Sequence, residues 1–343
     1  MGHQGETRRV LFLLPLKDVN NVPSFSVNIM PNVPVEEIVN LAIYAEKRGC
    51  RRCWVYDEGL ATRDVYVTLA AIATSTEKIL LGPGITNPYV RHPAATASAI
   101  ATLDELSEGR AFLGIGSGGG LTLGPMKIAR TKPLKVVQEM VENVRSLFMG
   151  ETITFNGAHF SLENAHMSYG RKGIEVILAG RGPKMLQLGA DIADGFYLSY
   201  MYKPHLQDAM SVLKNGSASC EKDFHVTYST MFVRDEKEIE DARGQLSFRL
   251  VDSPQVIKDE LGITPEVISN IRNALVEGGT DLAGKHVKEE WLENFVIVGD
   301  VNSCGEELLQ LLDAHGIDEF QIPIYDPDSG KELIDKVAGF FNV

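Results

Sequence analysis

Apolar and polar positions alternate in blocks along most of this chain: a short extended run, a stretch with helical spacing, then another extended run. Short runs at 52–56, 79–85, 110–115, 174–179, 196–198, 224–233 and 320–324 have the length and the branched or aromatic content of strands. The first strand in chain order is expected at 10–14, followed by a long loop over 17–32 that carries Pro23 and Pro31. From Pro34, the residues Val35, Ile38, Val39, Ala42, Ile43 and Ala45 recur at helical spacing, and Gly49 stops the helix. Further helices are predicted from Asp64 through Ile72, over 93–106, 133–149, 185–190 and 205–213, and over 331–341. Pro93 and Pro133 suit a first helical turn, where a missing N–H costs nothing. An amphipathic helix is expected over 303–315, capped by Ser303 and ended by Gly316. Runs at 152–155 and 159–162 read as a hairpin turned by Asn156-Gly157.

Eight strands alternating with helices imply an α/β chain, a single (β/α)8 barrel over residues 1–343. An open, doubly wound sheet is the alternative, because periodicity does not decide closure. The segment 236–294 is polar and mainly helical in pattern, too long for one barrel helix, and reads as helices plus an insertion. A barrel collects its chemistry at the C-terminal ends of its strands. That rule selects Pro15 and Lys17, Asp57 and Glu58, residues 84–92, 116–120, 180–184 and 199–201, and Tyr325.

Among these, Gly180-Arg181-Gly182-Pro183-Lys184 has the clearest physical logic. A strand delivers glycines to a helix start, where backbone N–H groups and the helix dipole favour a phosphate, and Arg181 or Lys184 adds a cation. The bland reading is a tight strand-to-helix turn. The cluster from Gly116 through Ser117 and Gly118 to Gly120 offers a planar ring close access to backbone, or is a flexible loop. Gly-Pro-Gly at 82–84 breaks the third strand and argues for a bulge. Gly114, Gly116 and Gly119 also satisfy G-x-G-x-x-G, which raises a rival dinucleotide or S-adenosylmethionine site. That motif sits on the fourth strand, and no separate strand ends in an acidic residue about twenty positions on.

Two segments carry a resemblance. Leu81-Gly82-Pro83-Gly84-Ile85-Thr86-Asn87-Pro88-Tyr89 and Leu103-Asp104-Glu105-Leu106-Ser107-Glu108-Gly109-Arg110-Ala111-Phe112-Leu113-Gly114-Ile115-Gly116 resemble the luciferase-like flavin and deazaflavin oxidoreductases. Within that family the chain is most similar in look to the methylenetetrahydromethanopterin reductases that use coenzyme F420. The resemblance implies a barrel fold and hydride transfer between F420 and a small organic substrate. It implies a non-prolyl cis peptide between Gly84 and Ile85 that supports the back of the deazaflavin ring. It implies cofactor contacts from Gly84, Ile85, Thr86, Asn87, Gly116, Ser117, Gly118, Gly180, Arg181, Gly182, Pro183 and Lys184. A homodimer or larger homo-oligomer follows by the same analogy.

The chain departs from the family at three polar positions. Asp57-Glu58 stands where Asp-His is common, the run 10–14 has no glutamate, and the loop after the fourth strand is glycine where related sugar-phosphate dehydrogenases carry a glutamate. Glu58 and His92, with Asp57, are the remaining candidates for proton transfer; a salt-bridged strand end and a helix-start residue are the structural alternatives. An FMN-dependent luciferase-like monooxygenase is the first alternative function. A barrel without catalysis, acting as a binding or partner subunit, is the second, and the missing acids motivate it.

Composition trims the other classes. The chain has 343 residues, 44% hydrophobic and 23% charged, as expected of an ordinary globular protein. Its formal charge of −13 argues against nucleic acid, which calls for a basic face. No stretch has the length of a membrane span, and Arg8-Arg9 precedes an apolar run too short for a signal peptide. Cys50 and Cys53 form an isolated C-x-x-C, read as two core thiols; with Cys220 and Cys304 they imply no disulfide framework, which fits a cytoplasmic protein. His159, His166 and His205 lack metal-ligand spacing, and no metal is expected.

Overall fold

Ser24-Phe25-Ser26-Val27-Asn28-Ile29 alternates polar and apolar residues, and it forms the first barrel strand, β1 (Ser24–Ile29). The computed structural model describes residues 23–218 and 224–341. The strand expected at 10–14 lies outside them, and the loop expected over 17–32 is corrected by β1. The reason is the polarity of the barrel interior. Phe25, Val27 and Ile29 pack outward into the main hydrophobic core, while Ser26 and Asn28 are fully buried on the other face. Half of a buried strand is therefore hydrophilic, and Pro23 and Pro31 flank it without interrupting it.

The remaining barrel strands are β2 (Arg52–Val55), β3 (Leu80–Pro83), β4 (Phe112–Ile115), β5 (Glu175–Ala179), β6 (Gly195–Ser199), β7 (His225–Ser229) and β8 (Glu319–Ile324). All pair in parallel, in the order β3-β2-β1-β8-β7-β6-β5-β4. The outer two strands then meet through bridges Leu81–Ala111 and Thr86–Ile115, which close the sheet into a barrel. Helices α1 (Val35–Lys47), α2 (Val65–Ala73), α3 (Pro93–Leu106), α4 (Pro133–Phe148), α5 (Pro183–Ile192) and α6 (Leu206–Ala218) alternate with the strands. Two further helices, α7 (Glu236–Val251) and α8 (Pro265–Gly284), precede α9 (Val301–His315), β8 and α10 (Gly330–Phe340). No helix among the described residues is long and apolar enough to cross a membrane.

Three local expectations are corrected. The run 224–233 is two strands: β7 leaves the barrel at Thr230, whose hydroxyl bonds the Phe295 carbonyl at 2.6 Å, and Phe232–Val233 pairs with Ile297–Val298. The hairpin strands are Ile153–Asn156 and Ser161–Ala165, so Asn156 belongs to the ladder opposite Ser161 and the turn spans 157–160. Helix α9 starts two residues before Ser303, because the Asp300 carboxylate accepts from the Ser303 N–H at 2.9 Å and is the cap. Cys50 and Cys53 are free thiols buried in the main core, and burial pushes Cys53 up to about 12; Cys220 lies outside the described residues.

The barrel interior is layered. At the bottom, Arg52 of β2 donates to Glu319 of β8 at 2.6 Å and to Glu175 of β5 at 2.8 Å. Those strands are not neighbours, so the contacts cross the interior. Ser26 donates to the second Glu319 oxygen at 2.8 Å, and His225 lies 3.4 Å from the first. Above this layer Trp54 meets Phe112 edge-on at 4.4 Å and Tyr197 at 5.5 Å, again across the barrel. Helices α7 and α8 build a second core around Leu246, Leu250, Ile271 and Phe295, and it reaches the mouth through Tyr200 and Tyr202.

Burial alone would raise the Glu319 carboxyl, but Arg52, His225 and Ser26 outweigh it and hold it well below the usual carboxylate range. A depressed carboxyl contributes stability above its unfolded pKa and loses it as pH falls. Glu319→Gln leaves Arg52 buried with one partner fewer, and urea unfolding at pH 7 is expected to show a loss of about 3–5 kcal/mol. The gap between wild type and variant should narrow in acid.

Candidate active site

The mouth is organised by the segment after β3. The Gly84–Ile85 peptide is cis, as the family resemblance implied. Gly84 N–H donates to Val55 O at 2.7 Å, and its carbonyl accepts from the Asn28 amide at 2.7 Å. Thr86 then exchanges backbone bonds with β4, its N–H to Gly114 O and its carbonyl from Gly116 N–H, both 3.0 Å. The segment is thereby fixed to the strands on both sides. Glycine is required by close approach: a Cβ on Gly84 would sit 2.6 Å from Trp54 Cβ, and one on Gly116 would sit 2.4 Å from Ile85 Cδ1. Asn87, also buried, folds the following turn by accepting from the N–H groups of Tyr89 and Val90.

The carboxylates after β2 face this segment. Thr86 Oγ1 donates to Asp57 Oδ2 at 2.7 Å. Thr122, on the short helix Gly120–Leu123 that follows the glycine cluster, donates to Glu58 Oε2 at 2.5 Å. Burial raises both carboxyls; the threonine bonds, and for Glu58 the Arg249 charge, oppose the rise without cancelling it. Each acid is held by one oxygen and has the other free of any threonine bond. His92 is engaged differently. Its Nδ1 accepts from Ala94 N–H at 3.2 Å as the cap of α3, and its Nε2 lies 3.1 Å from Ser161 O, which commits both ring nitrogens.

At the end of β5, Gly182 caps α5 and Pro183 takes its first position. The Gly182 carbonyl accepts from Met185 and Leu186, while the N–H groups of Gly182 and Lys184 have no protein acceptor among the described residues. Such a helix start binds anions. Arg181 stands beside it, and the Lys184 side chain is exposed. Ser117 and Gly118 are half-buried on the adjoining loop, and Arg130 ties that loop by donating to Gly118 O at 2.8 Å. The G-x-G-x-x-G match lies on a strand of a closed barrel, not on the first strand of an open sheet, which removes the dinucleotide rival. Pro15 and Lys17 lie outside the described residues.

The sequence reading missed Arg249. It comes from the last turn of α7 and is only 8% exposed. Its Nη2 donates to the Tyr325 hydroxyl at 3.0 Å, and its guanidinium lies 3.9 Å from the Tyr200 ring centroid. Tyr325 donates in turn to the Tyr200 hydroxyl at 3.1 Å and packs on Tyr56 at 5.6 Å. Tyr200 is held with φ 48, and its N–H bonds Ser229 O. Burial holds the Tyr56 and Tyr200 hydroxyls well above the usual range, so they stay protonated. Nothing in the local pattern distinguishes Arg249 from any other arginine on an amphipathic helix. A separate cavity of ≈ 290 Å³ beside the mouth is lined by Thr230, Gln245, Ile322 and Phe340, and shares only Tyr325 with these groups.

The bulge, the paired acids and the helix start with its unpartnered N–H groups are thus set around one barrel mouth. The sequence model of the luciferase-like monooxygenases matches residues 21–319. The chain belongs to that family. Among its luciferase-like relatives, the 5,10-methylenetetrahydromethanopterin reductase of Methanolobus tindarius is 31% identical over 297 residues, covering 84% of this chain and 91% of the relative. The reductase of the same name from Archaeoglobus fulgidus is 31% identical over 332 residues, covering 91% and 99%. The solved structure of the coenzyme F420 dependent tetrahydromethanopterin reductase from Methanopyrus kandleri superposes with a TM-score of 0.79 at 27% identity, covering 93% of this chain and 99% of that one.

Two outcomes follow for this luciferase-like mouth. Because burial raises the folded-state pKa of Glu58, the native state carries a disfavoured carboxylate once pH exceeds that value. Glu58→Gln is expected to melt higher than wild type at pH 8, with the two curves merging near pH 4, where the carboxyl is protonated in both states. Removing the opposing bond with Thr122→Val should move the midpoint of that divergence upward, as read from a pH series of melting temperatures.

Proposed function

We propose that this protein is a coenzyme F420-dependent oxidoreductase that transfers a hydride between the deazaflavin and a reduced pterin carrying a one-carbon unit. The observation that carries the reading is near full-length similarity to methylenetetrahydromethanopterin reductases, in a chain that keeps the bulge and the anion-binding helix start. Bound deazaflavin supplies a two-electron hydride carrier that oxygen consumes poorly. The residues at the mouth fit such a group. Gly84 and Gly116 let the segment through Ile85 pack close against Trp54 and Ala179, which holds the bulge rigidly beside the ring's place. The free N–H groups of Gly182 and Lys184, with Arg181, suit its phosphate.

The remaining roles fall to the chain's own side chains. β1 offers Asn28 and no acid, so the proton falls to the pair after β2. Glu58 is the better placed, since Thr122 fixes Oε2 and burial favours a proton on the other oxygen. Asp57 orients Thr86 and hence the bulge. His92 positions α3 and moves no proton in this reading. Tyr56, Tyr200 and Tyr325 form a wall that keeps bulk water from the reacting carbon.

The test is a fluorescence titration of the purified protein with F420 and, in parallel, FMN. Binding of F420 at least about tenfold tighter than FMN (a difference of about 1.4 kcal/mol) is expected; tight binding of FMN alone would move the protein to flavin chemistry. In turnover with F420 and methylenetetrahydromethanopterin, Glu58→Gln should lower kcat by about 10²–10⁴-fold while the F420 dissociation constant stays near wild type. An unchanged kcat would remove Glu58 from the proton path.

A further inference from the structure

We propose that the cavity beside the mouth, between the outer face of β8 and the helices α7, α9 and α10, binds a small organic ammonium compound, with its apolar body inside and its cationic head at the rim. The cavity measures ≈ 290 Å³. Ligand pockets start at about 300 Å³, so it suits one small molecule and no large cofactor. Its wall is apolar. Met231, Phe232, Ile322, Ile324, Leu333 and Phe340 line it, and Phe232 meets Phe340 edge-on at 5.7 Å. Ile322 and Ile324 are buried core residues, whereas the other four keep part of their surface uncovered. The polar groups on the same wall are already spent. Thr230 donates to the Phe295 carbonyl at 2.6 Å, and the Cys304 thiol donates to the Gly299 carbonyl at 3.4 Å. The Tyr325 hydroxyl is shared between Arg249 and Tyr200, and Gln245 Oε1 accepts from Arg249 Nη1 at 3.1 Å. A ligand body lying there meets hydrocarbon and gains by leaving water.

The rim carries the charge. Five carboxylates border the cavity, Glu238, Glu240, Asp241, Asp281 and Asp326, against two cations, Arg234 and Lys336. Both cations are engaged: Arg234 pairs with Glu238, and Lys336 with Glu332 at 2.5 Å. Asp326 spends one oxygen on the Asp328 N–H at 3.1 Å. Glu240, Asp241 and Asp281 accept no hydrogen bond and form no ion pair among the described residues. They come from two elements, since α7 supplies Glu240 and Asp241 and α8 supplies Asp281. Burial, then the charges of Asp281, Glu238 and Glu240, raise the Asp241 carboxyl against the pull of Lys237. A cation at this rim relieves that repulsion, whereas an anion adds to it. The carboxylates do not converge on a point: no group of three or more His, Cys, Asp or Glu among the described residues is placed to hold a metal ion. A diffuse organic cation, with its apolar part directed inward, satisfies wall and rim together.

The cavity shares only Tyr325 with the mouth, so the site stands apart from the proposed hydride transfer and is tested without F420. The test titrates the full chain by calorimetry with three probes of one body and different heads: phenethylamine (an ammonium at neutral pH), 2-phenylethanol and phenylacetate. The ammonium is expected to bind about tenfold more tightly than the alcohol, and phenylacetate more weakly than either. Two variants locate the contacts. The double substitution Asp241→Asn with Asp281→Asn should bring the ammonium down to the affinity of the alcohol and leave the alcohol unchanged. Val301→Trp, which places bulk on the cavity wall from the first residue of α9, should abolish binding of all three. Asp241 and Asp281 are exposed and Val301 is 41% exposed, so these variants fold. Equal affinity of wild type for the ammonium and the alcohol, or an ammonium affinity unchanged in the double variant, would overturn the role of the rim. Binding of the ammonium to Val301→Trp within twofold of wild type, or no binding to wild type at all, would overturn the site itself.

Discussion

The structure depends on how its sheet closes. β3 and β4 join at Leu81 and again at Thr86, with Gly82 to Ile85 displaced between the two bridges. A regular ladder there would have carried side chains inward and filled the mouth. The displaced segment instead turns backbone toward it, and three glycines make this sterically feasible. A Cβ on Gly82 would meet Phe112 O at 2.3 Å, one on Gly114 would meet Pro83 O at 2.2 Å, and one on Gly84 would meet Trp54. Bulges that re-aim a strand beside a site are a recurring device. Here the same contacts that close the barrel also define the floor of the site, so stability and site geometry cannot be varied separately at these positions.

The two ends of the barrel treat charge in opposite ways. At the bottom, Arg52, Glu319, Glu175 and His225 pair their charges with one another, and their geometry makes a buried pair that is costly to break. At the top, burial lifts Asp57 and Glu58 toward their neutral forms and lowers Arg181. Groups displaced from their ordinary ionisation cluster where chemistry is done. The contrast is internal to one molecule and one barrel, so it does not reflect a generally poor matching of charges. It marks the C-terminal mouth as the end kept for ligands, in line with the rule for this architecture.

Much of this was legible from residues alone. Seven barrel strands were placed, Pro93, Pro133 and Gly316 marked helix ends where the structure has them, and the choice of strand C-termini selected Asp57, Glu58, Gly116, Arg181 and Tyr325. What failed did so for physical reasons. β1 escaped because a polar barrel interior makes Ser26 and Asn28 look like loop residues, although the alternation of Phe25, Val27 and Ile29 was there to read. The hairpin turn was misplaced because Asn156 has a second use, accepting from Ser161 Oγ across the ladder at 2.9 Å. Closure was never in the periodicity; it rests on two bridges and was reached through resemblance. Arg249 lies 76 residues from its hydrogen-bond partner Tyr325, and no local pattern encodes a contact of that kind.

That long-range contact also says how the site is divided. The bulge, the glycine loop and the start of α5 belong to the barrel, whose hydrophobic core is continuous around the strands. Tyr200, Tyr202 and the helices α7 and α8 belong to a second core. The two are joined by several bonds, among them Thr230 Oγ1 to the Phe295 carbonyl, Tyr200 N–H to Ser229 O and Arg249 to the Tyr325 hydroxyl, with Arg130 and Asp252 making a weaker link. A cofactor seated on the barrel side would then rest on the bulge, the glycine loop and the start of α5, which the insertion reaches through the Asp252–Arg130 pair. The opposite wall is built by residues that can change without disturbing barrel closure. A fold that serves different substrates gains from that separation, and in this chain the boundary runs between Tyr56 and Tyr200, along the row of tyrosines that Arg249 covers.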